Sequence, residues 1–302
     1  MLLDYVLITP ARNEEAFIEK TLQSVIIQTV LPKKWVIVSD GSTDRTDEIV
    51  RQYADGRDWI DFVRLPERKE RHFAAKVDAF NAGYERVKSL KYEIIGNLDA
   101  DISFEKDFFE FLIDKFERIP NLGVAGTPFV EEGYSSINDS YEGAEHVSGQ
   151  CQMFRKACYE SIGGYTRVKA GHIDKIAVVT ARMKGWKTRS FRERTFYHHR
   201  PLGTGGNSKW KATFNYGKKD YRIGRHPLWE IIRIGYRMTK KPYVIGGVIL
   251  MSGYAWAVLS REKRPVSRDF IRFYQREQMT KLRSIFMSLI KFKKYDKYPE
   301  DA

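Results

Sequence analysis

The first 130 residues alternate short apolar runs with longer segments in which apolar positions recur at helical spacing. Short apolar runs are typical of buried strands, and the longer spacing is typical of amphipathic helices. The pattern predicts five strands: Tyr5–Thr9, Trp35–Ser39, Ile60–Leu65, Ile94–Leu98 and Val124–Phe129. It also predicts four helices: Glu14–Gln28, Asp44–Tyr53, Ala74–Lys88 and Asp107–Arg118. This alternation predicts an α/β fold with a mostly parallel sheet flanked by helices.

Polar residues mark where these elements begin and where chemistry is expected. Asp44 and Asp107 stand at positions where an aspartate would cap the first turn of a helix. Ligands of parallel sheets bind beyond the carboxyl ends of the strands. We therefore expect the functional residues just after Thr9, Ser39 and Leu98.

From about residue 190 the chain becomes aromatic and basic, with one uninterrupted apolar run, Tyr243–Leu259. Its 17 residues are at the short limit for a membrane span, which takes about 20. Basic residues flank the run on both sides, so the positive-inside rule assigns no orientation. This favours a shallow or re-entrant placement in a membrane, with a buried core helix as the alternative.

The net charge of +13 is unevenly distributed. Residues 1–180 hold 23 Lys and Arg against 30 Asp and Glu, a net charge of −7, whereas residues 181–302 hold 29 against 9, a net charge of +20. Clustered positive charge attracts nucleic acid, anionic lipid or a phosphorylated acceptor. Charge alone does not choose among these partners.

Two cysteines, Cys151 and Cys158, lie in a spacing that matches no metal site. We expect both to be small buried apolar residues. The N-terminal residues lack the pattern of a secretory signal. These features indicate a reducing, cytoplasmic compartment.

The strongest chemical signal is Asp99-Ala100-Asp101, directly after the predicted strand Ile94–Leu98. Two carboxylates separated by one small residue offer oxygen ligands to a hard divalent cation that also binds a diphosphate. Such a cation stabilises the negative charge of a leaving nucleoside diphosphate. An Asp-x-Asp sequence also occurs by chance in solvated turns, so its neighbours decide its meaning.

Two further strand ends share this character. The apolar strand in "LITPARNEE" breaks into a polar turn, and "VIVSDGSTDRT" repeats the event at the next strand. Asp40 lies in the second turn, where its carboxylate could accept the imide hydrogen of uracil or cap the following helix. Together with Asp99 and Asp101, these turns predict one pocket.

The chain resembles glycosyltransferase family 2, the inverting transferases with the GT-A fold. The resemblance covers roughly residues 3–200 and rests on five segments: "TPARNEE", "VSDGSTDRT", Lys76 with "NAG", "NLDAD" and "SIGGYTRVKAGHIDKIAVVTARMKGW". It implies a nucleoside site lined by Thr9, Arg12 and Asp40. It further implies that Lys76 approaches the diphosphate or the base, and that Asp99 and Asp101 hold Mn²⁺ or Mg²⁺.

The same resemblance assigns the catalytic base to Asp174. The family usually has an acidic pair here, whereas this chain has Ile173-Asp174. In an inverting reaction one carboxylate suffices to take the proton of the acceptor hydroxyl. A helix N-cap after Gly171 is the structural alternative for Asp174, and the two roles are compatible.

A further candidate segment is "YHHRPLGTGGNSKW", residues 197–210. A neutral imidazole from His198 or His199 could be an additional metal ligand, and we assign this role to His199. Arg200 could bind a phosphate of the donor. Adjacent histidines on an extended segment point to opposite faces, so only one of them is expected to face the site. Residues 203–209 are predicted to form a mobile flap over the donor.

These features predict a hexosyltransferase that moves a single sugar from a nucleotide-sugar donor, with UDP-sugar favoured, onto a lipid-linked or cell-surface polysaccharide precursor. Residues 1–200 would form the catalytic domain. Residues 201–302 would form a helical basic extension that docks on the acceptor or on an anionic membrane, at the inner face of the cell membrane. The alternatives are a nucleotidyltransferase of sugar-nucleotide synthesis and a non-catalytic basic binding module. No nucleic-acid-binding motif is recognised, so no nucleic acid partner is expected.

Overall fold

A computed structural model describes residues 3–67, 73–139, 143–200 and 209–291. The chain divides into two compact units, Met1–Pro201 and Leu202–Ala302. The strands of the first unit are β1 Tyr5–Ala11, β2 Lys34–Ser39, β3 Ile60–Arg64, β4 Ile94–Leu98, β5 Ile102–Ser103, β6 Leu122–Gly126, β7 Phe129–Glu131, β8 Tyr134–Ser135, β9 Cys151–Arg155, β10 Lys187–Ser190 and β11 Phe196–His198. Its helices are α1 Ile18–Ile26, α2 Thr46–Ala54, α3 Phe73–Val87, α4 Phe108–Arg118, α5 Ser136–Asp139, α6 Lys156–Ser161 and α7 Ile173–Met183.

The centre of the first unit is a seven-stranded sheet in the order β10-β6-β9-β4-β1-β2-β3. Parallel pairs join β1 to β2 and β4, β2 to β3, and β10 to β6. Strand β9 runs antiparallel between β4 and β6. The predicted mostly parallel sheet flanked by helices is confirmed.

A second, four-stranded sheet has the order β5-β11-β7-β8. It corrects one sequence prediction, because the predicted strand Val124–Phe129 divides between the two sheets. Strand β6 ends at Gly126, and β7 begins at Phe129 after Thr127 and Pro128. Proline has no backbone N–H to donate to a sheet and commonly stands where one strand gives way to another.

The predicted helix caps fare differently. Asp44 stands one residue before Arg45, the N-cap of α2, and its Oδ1 accepts hydrogen bonds from the backbone N–H and the hydroxyl of Thr46 at 3.0 and 2.6 Å. Asp107 occupies the N-cap position of α4, but its side chain makes no capping hydrogen bond. Its carboxylate instead accepts a hydrogen bond from Arg194 at 2.6 Å. An available guanidinium is a stronger partner for a carboxylate than a backbone N–H.

The core of the first unit lies between the sheet and helices α1 and α4. It contains fully buried side chains from β1, β2 and β4 together with a cluster of phenylalanines that includes Phe104, Phe108 and Phe109. Cys151 and Cys158 are both buried and free, as expected. Burial raises the pKa of the Cys158 thiol to about 12, so it stays protonated at neutral pH.

The second unit is helical, with α8 Lys209–Arg222, α9 Pro227–Met238, α10 Ile245–Leu259 and α11 Arg268–Ile290. Helices α8 and α10 approach closely through two glycines. A Cβ on Gly253 would lie 2.0 Å from the Phe214 carbonyl oxygen, and a Cβ on Gly217 would lie 2.1 Å from that of Leu250. The apolar run Tyr243–Leu259 contains α10, and no helix in the described part of the chain is long and apolar enough to cross a membrane.

Candidate active site

The candidate site forms where β1, β2 and β4 end side by side in the sheet. Arg12 follows β1, Asp40 follows β2, and Asp99 follows β4. Because neighbouring parallel strands end at the same edge, these residues from three distant chain segments lie in one region. The sequence predicted functional residues just after these three strands, and the structure brings the ends of all three to one edge of the sheet.

Arg12 and Asp40, which were predicted to line a nucleoside site, lie beside each other. A guanidinium nitrogen of Arg12 lies 3.7 Å from Asp40 Oδ2, and the Asp40 backbone N–H donates to the Ala11 carbonyl at 2.8 Å. Asp40 is buried. A carboxylate accepts hydrogen bonds, and the contact of Asp40 with the imide hydrogen of uracil stays a prediction.

Thr9 requires a correction. It lies within β1, is 0% exposed, and its hydroxyl accepts a hydrogen bond from the Trp35 indole at 2.9 Å. Strand β1 continues two residues beyond the predicted end, to Ala11. The Thr9 side chain therefore belongs to the core between β1 and β2 and does not line a surface that a nucleoside could contact.

Lys76 and Asp99 form an ion pair through Lys76 Nζ and Asp99 Oδ1. The same ammonium donates to the Gly149 carbonyl at 3.3 Å, and the Asn97 amide donates to that carbonyl at 2.9 Å. Burial raises the pKa of the Asp99 carboxyl above its ordinary value, while the charge of Lys76 acts against this. Lys76 on α3 is thus brought to the Asp-x-Asp segment, and its approach to the diphosphate or the base stays a prediction.

Asp101 faces His198, which lies between two carboxylates. His198 Nε2 is 3.5 Å from Asp101 Oδ2, and its Nδ1 is 2.6 Å from Glu131 Oε1. Burial alone would lower the pKa of His198, but the hydrogen bonds and charges of both carboxylates raise it to about 8. Burial likewise opposes ionisation of Asp101, yet His198 and Arg200 hold the pKa of this carboxyl below its ordinary value.

The choice of His199 over His198 as the histidine at the site is corrected by this geometry. The His199 ring nitrogen Nε2 lies 2.9 Å from the Ser103 hydroxyl, and its ring stacks near Phe17 with centroids 6.3 Å apart. The alternation of side chains along β11 places His198 on the face of Asp101. The sequence predicted that only one of the two would face the site but not which one.

Arg200 joins the polar turn after β1 to the Asp-x-Asp segment. Its guanidinium forms an ion pair with Glu14, lies 3.6 Å from Asp101 Oδ2, and stands over the Phe17 ring at 5.5 Å. This places a cation beside Asp101, where a donor phosphate was expected. Glu14 belongs to the "TPARNEE" motif, although the sequence assigned it no role.

Asp174 lies in the first turn of α7 and packs against Gly149, whose carbonyl accepts from Lys76. A Cβ on Gly149 would lie 2.8 Å from Asp174 Cβ and 2.9 Å from its Oδ2. Gly149 therefore separates the Asp174 carboxylate from the Lys76–Asp99 pair by little more than one backbone unit. The N-cap of α7 is His172, in the left-handed conformation with φ 62°, and not Asp174.

The charges around Asp174 favour its ionised form. Burial opposes ionisation, but His172, His146 and Lys175 outweigh it, so the pKa of this carboxyl lies below its ordinary value. The carboxylate is therefore able to accept a proton at neutral pH. Neither histidine was singled out from the sequence, since their proximity depends on how residues 143–150 pack beside α7.

The donor atoms at the Asp-x-Asp segment match a hard divalent cation in chemistry. Carboxylates and imidazole are suitable ligands for Mn²⁺, and carboxylates suit Mg²⁺. The hydrogen bond from His198 Nδ1 to Glu131 leaves Nε2 directed at Asp101, an arrangement typical of metal-binding histidines. Within residues 3–67, 73–139, 143–200 and 209–291, no group of three His, Cys, Asp or Glu side chains is placed to hold an ion.

The fold and these strand-end residues define a protein of the GT-A class, with an acidic site at the carboxyl edge of a mostly parallel sheet. The family model described as "Glycosyl transferase family 2" matches residues 6–193. The chain belongs to glycosyl transferase family 2. The prediction of a glycosyltransferase domain is therefore confirmed in preference to a nucleotidyltransferase or a basic binding module.

Curated relatives are similar to this chain over part of their length. The poly-beta-1,6-N-acetyl-D-glucosamine synthase of Staphylococcus aureus strain COL is 33% identical over 137 residues, which cover 45% of this chain and 31% of that synthase. The synthase of the same name from Staphylococcus epidermidis is 29% identical over 170 residues, covering 50% of this chain and 39% of the relative. The matched segment thus spans about a third of these relatives.

Solved structures with the same fold match almost the whole chain. A mannosyltransferase from Pyrobaculum calidifontis in complex with GDP-Man and Mn²⁺ has a TM-score of 0.58 at 17% identity and covers 96% of this chain and 88% of its own. Residues 1–349 of S. aureus TarS in complex with UDP-GlcNAc give a TM-score of 0.53 at 14% identity, covering 97% and 93%. At these identities the likeness establishes the fold.

Proposed function

We propose that the protein transfers a single sugar from a nucleotide-sugar donor to a hydroxyl group of a lipid-linked or cell-surface polysaccharide precursor, with inversion at the anomeric carbon. The observation that carries the proposal is the packing of Gly149. Its carbonyl accepts from Lys76, the partner of Asp99, and its α-carbon abuts the Asp174 carboxylate. The proposed donor site and the proposed base would therefore stand side by side within a family 2 domain.

The donor would lie along the carboxyl edge of β1, β2 and β4. Asp40 would accept the imide hydrogen of a uracil base, with Arg12 holding its carboxylate. Lys76 and Arg200 would bind phosphate oxygens, since both are cations beside the Asp-x-Asp segment. The similar fold of TarS bound to UDP-GlcNAc supports a UDP-sugar, although the mannosyltransferase of the same fold binds GDP-Man.

Asp99, Asp101 and His198 would hold Mn²⁺ or Mg²⁺. A bound divalent ion would supply charge stabilisation for the diphosphate leaving group. Glu131 would fix the orientation of His198 through the hydrogen bond at Nδ1. The Mn²⁺ in the mannosyltransferase of similar fold supports an ion of this type.

Asp174 would act as the base. Its carboxylate takes the proton of the acceptor hydroxyl as the hydroxyl oxygen bonds to the anomeric carbon. At the same carbon, the bond to the diphosphate oxygen breaks on the opposite side, and the nucleoside diphosphate leaves with the electron pair. The low pKa of Asp174 keeps it ionised before the proton arrives.

We further propose that Met1–Pro201 is the catalytic domain and that Leu202–Ala302 docks on an acceptor or an anionic membrane. The net charge of +14 on residues 202–302, from 22 Lys and Arg against 8 Asp and Glu, supports this division. The protein would work at the cytoplasmic side of the cell membrane as a peripheral or monotopic protein. Two free, buried cysteines are compatible with a reducing compartment. The predicted flap, residues 203–209, lies almost wholly outside the described residues.

The variant Asp174→Asn tests the catalytic proposal. Removal of a general base costs about 10²- to 10⁴-fold in turnover, so transfer should fall by that factor while donor affinity stays within about twofold. The variant Asp78→Asn is the matched control, because Asp78 pairs with Arg167 away from these strand ends. Wild-type turnover by Asp174→Asn would remove Asp174 from the mechanism.

A further inference from the structure

Helix α10 contains no charged residue along its 15 positions. A helix that is apolar on every side needs apolar surroundings on every side. Yet, within the described residues, α10 is buried on one side, at Gly246, Gly247, Leu250, Gly253 and Ala257. The opposite side is exposed through Ile245, Val248, Met251, Trp256, Val258 and Leu259, which we call the α10 apolar face.

The packing of α10 explains why this face stays uncovered. Gly253 and Gly217 bring α10 and α8 into backbone contact, and a Cβ on Gly247 would lie 2.3 Å from the Met238 side chain of α9. The covered side is thus locked against α8 and α9 by small residues. The exposure is extensive: Trp256 is 57% exposed and Leu259 is 81% exposed. Contiguous apolar surface of this kind marks an interaction site.

Exposed basic residues stand at both ends of the helix. Lys240 and Lys241 precede it, and Arg261 and Lys263 follow it. Positive charge at both ends of an apolar face matches a surface that is apolar inside and anionic outside. A bilayer containing anionic lipid has this chemistry, with phosphate head groups above the acyl chains.

We propose that the α10 apolar face inserts into the interfacial layer of an anionic membrane, with the helix axis parallel to the membrane plane and with Lys240, Lys241, Arg261 and Lys263 at the head groups. The inference rests on the proposed membrane association and specifies the surface responsible. It places the helix in one leaflet, so both basic ends lie on the same side of the membrane.

An in-plane position is favoured over a spanning one by length and packing. A helix of 15 residues is about 22 Å long, which is shorter than the hydrocarbon core of about 30 Å. Spanning would also separate Gly253 from Phe214, at a contact that leaves no room for a Cβ. A second copy of the chain would present the same basic residues and so meet like charge at both ends of the face.

The test is vesicle co-sedimentation of the full chain, with phosphatidylcholine vesicles compared with vesicles that also contain phosphatidylglycerol. We expect binding to the anionic vesicles that falls at least about tenfold in Trp256→Ser/Leu259→Ser, since two large apolar groups no longer leave water. Lys240→Glu/Lys241→Glu should weaken binding at least about fivefold for each lysine replaced. The matched control is Ile27→Ser, a 61% exposed apolar residue of the first unit, which should bind like the wild type.

A fluorescent label at Leu259→Cys reports insertion directly, because both native cysteines are buried. A blue shift on adding anionic vesicles is expected. The inference is overturned by vesicle binding that survives Trp256→Ser/Leu259→Ser, by no vesicle binding, or by a dimer in sedimentation analysis that this variant dissociates. Nucleotide titration of the same preparations distinguishes failure of this inference from failure of the proposed function. Donor binding by Trp256→Ser/Leu259→Ser should equal that of the wild type.

Discussion

Individual residues of the site are held in chains of alternating charge. Glu131, His198 and Asp101 form one such chain, and Lys76 with Asp99 forms another. Each buried charge has an opposite charge beside it, which is the arrangement that makes burial of ionised groups tolerable. The consequence is that, in this structure, these side chains hold one another.

Replacement of Glu131 tests this arrangement. In Glu131→Gln, the pKa of His198 should fall from about 8 toward its ordinary 6.5, because one of two carboxylates that favour the charged ring is lost. NMR titration of the histidine resonances in the metal-free protein measures the change. Glu132→Gln is the matched control, since Glu132 is the exposed neighbour. An unchanged His198 titration in Glu131→Gln would contradict the account.

The sequence indicates which residues lie near the site better than it indicates where their side chains point. Arg12, Asp40 and Asp99 lie at one edge because neighbouring parallel strands end there, which periodicity predicts, whereas Lys76 reaches Asp99 from α3. Thr9 was predicted at a strand end, but β1 runs two residues further and the Thr9 side chain is buried. The positions of the adjacent histidines depend on the pairing of β11 with β5 and β7, which no local pattern encodes.

At the scale of elements, the five predicted strands lie within a few residues of observed ones, except where one apolar run serves two sheets, but β9 and β10 of the central sheet were not predicted. Val124–Phe129 is continuous in hydrophobicity, yet β6 and β7 belong to different sheets. Helix α1 begins at Ile18, four residues after the predicted start, because residues 12–15 form the polar turn of the site. The polar turn after β1 thus occupies positions that amphipathic spacing assigns to a helix.

Replacement by alanine should change the free energy of unfolding in opposite directions at two glycines of the second unit: Gly253, at the contact between α8 and α10, and Gly235 in α9. Gly253→Ala should lower the free energy of unfolding by about 1–3 kcal/mol, because its Cβ would overlap the Phe214 backbone. Gly235→Ala in α9 has no atom within 4 Å of its Cβ and should raise stability by up to about 1 kcal/mol through helix propensity. Urea unfolding midpoints measure both. A neutral Gly253→Ala would show that the two backbones are not in close contact.

At the scale of the whole molecule, charge is divided along the chain in the same way as structure. The acidic first 180 residues contain the strand ends and Asp174, whereas the basic remainder supplies His198 and Arg200 and includes the four helices of the second unit. The sequence indicated this division through composition alone. It did not indicate that α10 would be covered on one side only, because that depends on the glycine contacts with α8 and α9.

The central claim is that the strand-end site binds a nucleotide sugar with a divalent ion. Calorimetric titration of the full chain with UDP, GDP and their sugars, in Mn²⁺ and again in EDTA, tests it most directly. The account predicts metal-dependent binding of one nucleotide and its sugar, with UDP favoured, and loss of binding in Asp99→Ala/Asp101→Ala. Absence of binding to every nucleotide with and without metal, or equal binding by the double variant, would contradict it.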